Sequence, residues 1–152
     1  LTLSVTPIRV LFGKNSVLRY RRTLGLFSFF YASLHFLTWL VLDQFFDWKA
    51  MLEDVIERPY ITVGFVALVL MSLLAITSIY RLRRYMGNAV WLKLHRLVYL
   101  ILILVLLHFF WLVKKDVTEP LLFILISGIL LGYRVDRWVR TQLTRTQSFS
   151  EK

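Results

Sequence analysis

Three histidines, His35, His95 and His108, are the residues of this sequence best suited to chemistry. Each lies inside a long apolar run, where an ionisable side chain is costly and marks a functional site by default. A neutral histidine hydrogen-bonded between helices is the plainer reading for any one of them. Three together, in a chain with no cysteine, point to a shared task. His35 stands eight residues before Asp43, so about 12 Å from one end of its helix at 1.5 Å per residue. His108 stands six residues before Lys114, about 9 Å from the corresponding end of another helix. The two are therefore expected at one level on different helices. A pair of imidazoles facing each other across a gap is what a low-spin b-type haem takes as axial ligands, and helix bundles commonly hold cofactors in their cores. Zinc fits less well, because two histidines with neither cysteine nor a nearby carboxylate leave its tetrahedral shell incomplete.

His95 differs. It lies 13 residues before His108, about 20 Å away along an ideal helix and about 140° round it. No other apolar run carries a histidine at its level, so a second bis-histidine haem lacks a ligand here unless a non-histidine group or a further segment supplies one. The alternative is an anionic cofactor. Arg81, Arg83 and Arg84 lie just before this segment, and Lys93 and Arg96 flank the histidine. Guanidinium forks and ammonium charges of this kind could hold the phosphate of a flavin mononucleotide. The same cations are also explained as ordinary basic residues on the inner side of a membrane. Trp91 and Tyr99, each four residues from His95, could stack on a flavin or serve as interface and core residues. Trp39 and Trp111 share a helical face with His35 and His108 respectively, against a haem edge or in the core. Other chemistries are poorly served. There is no HExxH, no P-loop, no nucleophile elbow and no glycine fingerprint, and no pair of acids is buried in an apolar run. Relaying electrons through a cofactor fits these residues better than covalent catalysis.

The elements that position the histidines follow from composition. Of 152 residues 58% are apolar, and 19 Lys+Arg against 9 Asp+Glu give a net charge of +10. An ordinary soluble domain is about 45–50% apolar. The absence of cysteine excludes a disulfide scaffold and a thiolate site. Four stretches are long enough for helices that cross a bilayer, which takes about 20 residues: about 24–46, 60–80, 90–113 and 120–139. The expected fold is an all-α, polytopic transmembrane bundle with four full spans. The stretch 1–18 reads as the tail of a preceding helix, so N-terminal sequence is expected to be missing. The charges sort by side. One side, with both termini and the Arg81–Ala89 loop, has 15 basic and two acidic residues; the other has four basic and seven acidic. The positive-inside rule makes the first side cytoplasmic. Topology thus explains the basic charge, and no nucleic-acid partner is expected. Pro59 and Pro120 suit helix starts, Thr118 suits a cap, and Gly128 and Gly132 have the spacing for close helix approach. On the outer side, 47–57 has the periodicity of a short amphipathic helix lying on the membrane, as a connector or as an acidic docking face.

The runs LRYRRTLGL, SLHFLTW, ERPYITVGF, WLKLHRLVYLILILVLLHFFWLVK and EPLLFILISGILLGYR together resemble the bacterial MsrQ proteins, from about Arg19 to Arg134. These are haem-binding membrane subunits of the periplasmic methionine-sulfoxide reductase system and belong with the ferric-reductase-like transmembrane domains. The resemblance implies b-type haem and flavin mononucleotide (FMN) as cofactors, with the family's histidines at His35, His95 and His108. It implies electrons arriving from a cytoplasmic flavin reductase and leaving to a periplasmic molybdopterin enzyme that repairs oxidised envelope proteins. It places the protein in the bacterial inner membrane, among lipid. The family has more transmembrane helices than this chain. Two rival expectations remain: a two-haem ferric reductase or cytochrome b, and a cofactor-free membrane anchor for a periplasmic enzyme.

Overall fold

The computed structural model describes residues 17–113 and 115–150. All regular structure among the described residues is helical. Helix α1 spans Val17–Thr38 and continues as a π-helical turn, Trp39–Asp43. Its last bonds reach five and six residues back, from Gln44 N–H to Trp39 and from Phe46 N–H to Leu40. Phe45 and Phe46 then turn through the left-handed region, with φ of 47° and 63°, which is unusual for bulky side chains. The first span therefore ends at Asp43 rather than at the expected Phe46, because the ladder is lost there.

Helix α2, Trp48–Glu57, is started by Asp47, whose carboxylate accepts from the N–H groups of Lys49 and Ala50 at 3.0 and 3.1 Å. The Gln44 amide donates to Asp54 at 2.6 Å, and Asp54 pairs with Arg58 at 3.2 Å. The Arg58 guanidinium is held above the ordinary arginine range by the Tyr60 side chain and by the Asp54 carboxylate. Helix α3, Pro59–Thr77, has its proline at the first position, where no N–H is needed. The Thr62 hydroxyl donates to the Val55 carbonyl and so ties α3 to α2.

The second span stops at Thr77, not at Tyr80, and the four-residue stretch Arg81–Arg84 is no loop: it lies on a short helix, α4, Tyr80–Met86. Gly87 separates α4 from α5, Asn88–Leu94, with φ 76° and ψ 156°. Only glycine adopts that backbone readily. Gly87→Ala is expected to cost about 1–3 kcal/mol of stability, read as a lower midpoint of unfolding in detergent. An added Cβ would meet nothing within 4 Å there, so the loss is conformational.

The third span is not one helix. It breaks at His95–Arg96 between α5 and α6, Leu97–Leu112. Three-residue bonds bridge the break, from Arg96 N–H to Lys93 and from Val98 N–H to His95. Helix α7, Thr118–Ser150, begins where Thr118 N–H donates to the Asp116 carboxylate at 3.0 Å. Thr118 is thus the first helical residue and Asp116 acts in the capping role expected of Thr118. The Thr118 hydroxyl and N–H hold the Asp116 carboxyl below the usual carboxylate range.

Helices α3 and α6 form the main packed pair, with α1 and α2 on α3 and α7 on α6. Among the described residues the buried apolar side chains are Ala67, Ile101 and Pro120. A small residue at such a contact lets helix backbones approach closely where no hydrophobic force drives association. The hydroxyls of Ser28, Ser33, Ser72 and Thr77 donate to carbonyls of their own helix, one turn back. The large apolar side chains that line the outside of the four spans are exposed. In water that surface would drive aggregation; against lipid it is the matched face.

Candidate functional site

Helices α1 and α6 finish at the same end of the bundle, where α3 starts. His35, from the last turn of α1, and His108, from the last turns of α6, have ring centroids 6.3 Å apart with planes at 72°. Two metal–imidazole bonds of about 2 Å in line with both rings separate the centroids by about 6 Å, and the centroid separation of this pair matches that spacing. His35 is exposed and His108 half-buried. No group of three or more His, Cys, Asp or Glu able to hold a metal ion exists among the described residues.

The orientation of His108 has a clear cause. Its Nδ1 lies 2.7 Å from the Tyr60 carbonyl oxygen. A carbonyl only accepts, so Nδ1 carries the proton and Nε2 keeps its lone pair. Gly64, one turn further along α3, lies against the same ring: a Cβ there would sit 2.6 Å from Nδ1 and 2.7 Å from Cε1. Sequence reasoning missed both residues. The available signal was a lone glycine one turn into a span, at the depth of a histidine on a neighbouring one.

His95 lies at the opposite end, in the break between α5 and α6. Its Nδ1 donates to the Trp91 carbonyl at 3.1 Å, and its Nε2 lies 3.4 Å from the Ser78 hydroxyl, which itself bonds Leu74. Trp91 stacks on the imidazole at 3.9 Å between centroids and donates from Nε1 to the Thr77 carbonyl at 3.1 Å. The Arg83 guanidinium sits 4.5 Å from the centre of the Trp91 ring. Arg83 and Arg84 line an open concavity with Tyr80, Gly87 and Asn88. Tyr99 faces elsewhere, accepting from Arg134 of α7 at 3.0 Å. Trp39 lies against Phe36, at 5.7 Å between centroids. Gly128 and Gly132 would meet nothing within 4 Å, so their spacing supports no close helix contact among the described residues.

Comparison with known proteins decides the kinship. Residues 1–106 match the family model described as ferric reductase like transmembrane component. Over 139 residues the chain is 48% identical to the protein-methionine-sulfoxide reductase heme-binding subunit MsrQ of Rhodospirillum rubrum, covering 91% of this chain and 67% of that protein. The chain belongs to the MsrQ family, within the ferric-reductase-like transmembrane proteins. The subunit of the same description from Bordetella pertussis is 50% identical over 141 residues, 91% of this chain and 68% of that one. That from Xanthomonas euvesicatoria is 48% identical over 147 residues, 96% of this chain and 66% of that one. The chain thus spans about two thirds of the length of these MsrQ relatives. No solved structure matches it. With four helices long and apolar enough to cross a membrane, it is a multi-pass membrane protein.

Proposed function

We propose that this chain is the electron-transfer part of a membrane subunit in which His35 and His108 are the two axial ligands of one b-type haem. The observation that carries the reading is the 6.3 Å separation of their rings at one end of the bundle. When bound, haem supplies reversible one-electron iron chemistry. The chain's part is to hold the two imidazoles at that spacing and to surround them with apolar helix. His108 is presented with its Nδ1 proton already committed to the Tyr60 carbonyl.

At the other end, His95 with Arg81, Arg83, Arg84 and Arg96 forms the electron-accepting side, next to FMN and a cytoplasmic flavin reductase. The open concavity beside Arg83 and Arg84 supports an anionic ligand there. The His95 ring stacks on Trp91 beside Arg83, an aromatic and cationic setting that suits a flavin; its Nε2 keeps a lone pair, because the Ser78 hydroxyl donates to Leu74, so a second haem ligand is the rival reading. On the orientation given by the charges, the His35–His108 end faces the periplasm of a bacterial inner membrane. Its partner is a molybdopterin methionine-sulfoxide reductase, in keeping with the name of the relatives as subunits of a methionine-sulfoxide reductase.

The test is the absorption of full-length protein from haem-replete cells, oxidised and dithionite-reduced. A low-spin b-type spectrum at about one haem per chain is expected. A colourless preparation sinks the proposal and leaves a membrane anchor; a ratio near two favours a two-haem cytochrome. His95→Ala is expected to retain the spectrum while slowing reduction by the cytoplasmic reductase.

A further inference from the structure

A ring nitrogen can reach a helix carbonyl from outside only where the side chain one turn further on does not block it. In α3 the carbonyl of residue 60 and the side chain of residue 64 lie on one face, one above the other. Residue 64 is glycine, and the His108 ring fills the space that a Cβ would take, within 2.6 Å of its position. The ring thereby reaches the Tyr60 carbonyl at 2.7 Å. The start of α3 is itself fixed by Pro59, by the Arg58–Asp54 pair and by the Thr62 bond to Val55. The acceptor is therefore a rigid backbone atom and not a mobile side chain.

We propose that Gly64 and the Tyr60 carbonyl act together as the positioning device for His108. The carbonyl holds the proton on Nδ1, the missing side chain lets the ring seat against α3, and Nε2 is left to bind iron. The proposal rests on the reading of His108 as an axial ligand. Outer-shell partners of this kind fix the tautomer and raise the basicity of a metal-bound imidazole. An alanine at 64 has to push the ring back by about 1 Å to reach ordinary contact distance, near 3.5 Å. That retreat takes the 2.7 Å bond beyond hydrogen-bonding range.

The experiment compares Gly64→Ala with Gly128→Ala in the full-length protein, by haem titration and by low-spin absorption. Both changes add one methyl to an apolar helix, but only the first meets the imidazole. Gly64→Ala is expected to weaken haem binding about 10- to 100-fold, while Gly128→Ala binds as the wild type. A readout that needs neither haem nor the variant is nitrogen-15 NMR of His108 in haem-free protein. It is expected to show Nδ1 protonated and Nε2 bare. Should Gly64→Ala bind haem normally while His108→Ala loses it, the positioning role is wrong and the ligand assignment stands. Should His108→Ala keep the low-spin spectrum, both fall. An Nε2-protonated His108 in the wild type overturns the proposal even if Gly64→Ala does not fold.

Discussion

Alanine at His108 is expected to abolish the low-spin haem spectrum, and alanine at His35 to do the same. The pair stands at the spacing for one metal ion, with ring centroids 6.3 Å apart. Losing an outer-shell partner weakens a metal site about 10- to 100-fold, and losing the ligand itself costs more. Each single variant should therefore purify without the bis-histidine signature, by absorption and by electron paramagnetic resonance. His95→Ala is the internal control, since that imidazole is engaged with Trp91 and Ser78 at the other end of the bundle. Retention of low-spin haem by either outer variant, or its loss in His95→Ala alone, would falsify the pairing.

The second large effect concerns Trp91. This side chain stacks on His95 at 3.9 Å, bonds the Thr77 carbonyl at 3.1 Å and underlies the Arg83 guanidinium at 4.5 Å. The stack contributes about 0.5–1.5 kcal/mol, the hydrogen bond in a membrane setting about 0.6, and the cation–π contact about 0.5–1. Trp91→Ala is expected to lower stability by about 2–3 kcal/mol. Trp91→Phe keeps an aromatic face for His95 and Arg83 and loses the donor, so a loss of about 0.6 kcal/mol is expected. Denaturant unfolding in detergent measures both. Because Trp91 lies at the far end from His35 and His108, the haem spectrum of either variant should be unchanged below its unfolding transition.

Much of this architecture could be read from hydrophobic runs and charge. Four spans follow from length and apolarity, since the backbone must bond internally in lipid. The shared depth of His35 and His108 follows from counting residues to Asp43 and Lys114, although the π-helical turn Trp39–Asp43 alters the rise on the first helix. Features set between helices were not legible in this way. Gly64 sits in YITVGFVALVL, where a lone glycine among apolar residues is a faint mark; its meaning lies in a histidine 44 positions away. Gly128 and Gly132 carried the more familiar spacing and meet nothing. Trp91 and Tyr99, both one turn from His95, part company, because one stacks on the imidazole and the other turns to Arg134. The break at His95 is equally silent, since VWLKLHRLVYL contains neither proline nor glycine. There the ring nitrogen and the backbone N–H of His95 both bond the Trp91 carbonyl, and the helix restarts beyond it.

The span that holds that break has an electrical consequence. Three-residue bonds carry the backbone across the break, so the level of His95 and Arg96 stays within the span. The unbroken helix beyond it, Leu97–Leu112, has 16 residues. It covers about 24 Å, against a hydrocarbon core of about 30 Å. With α5 and the turn included, the span runs Asn88–Leu112, 25 residues and about 37 Å, enough to cross the core with some tilt, and the membrane potential falls along it. On the proposed orientation an electron leaves the negative side for the positive one. Each 100 mV then assists its passage by about 2.3 kcal/mol, so an energised membrane would help drive reduction on the far side.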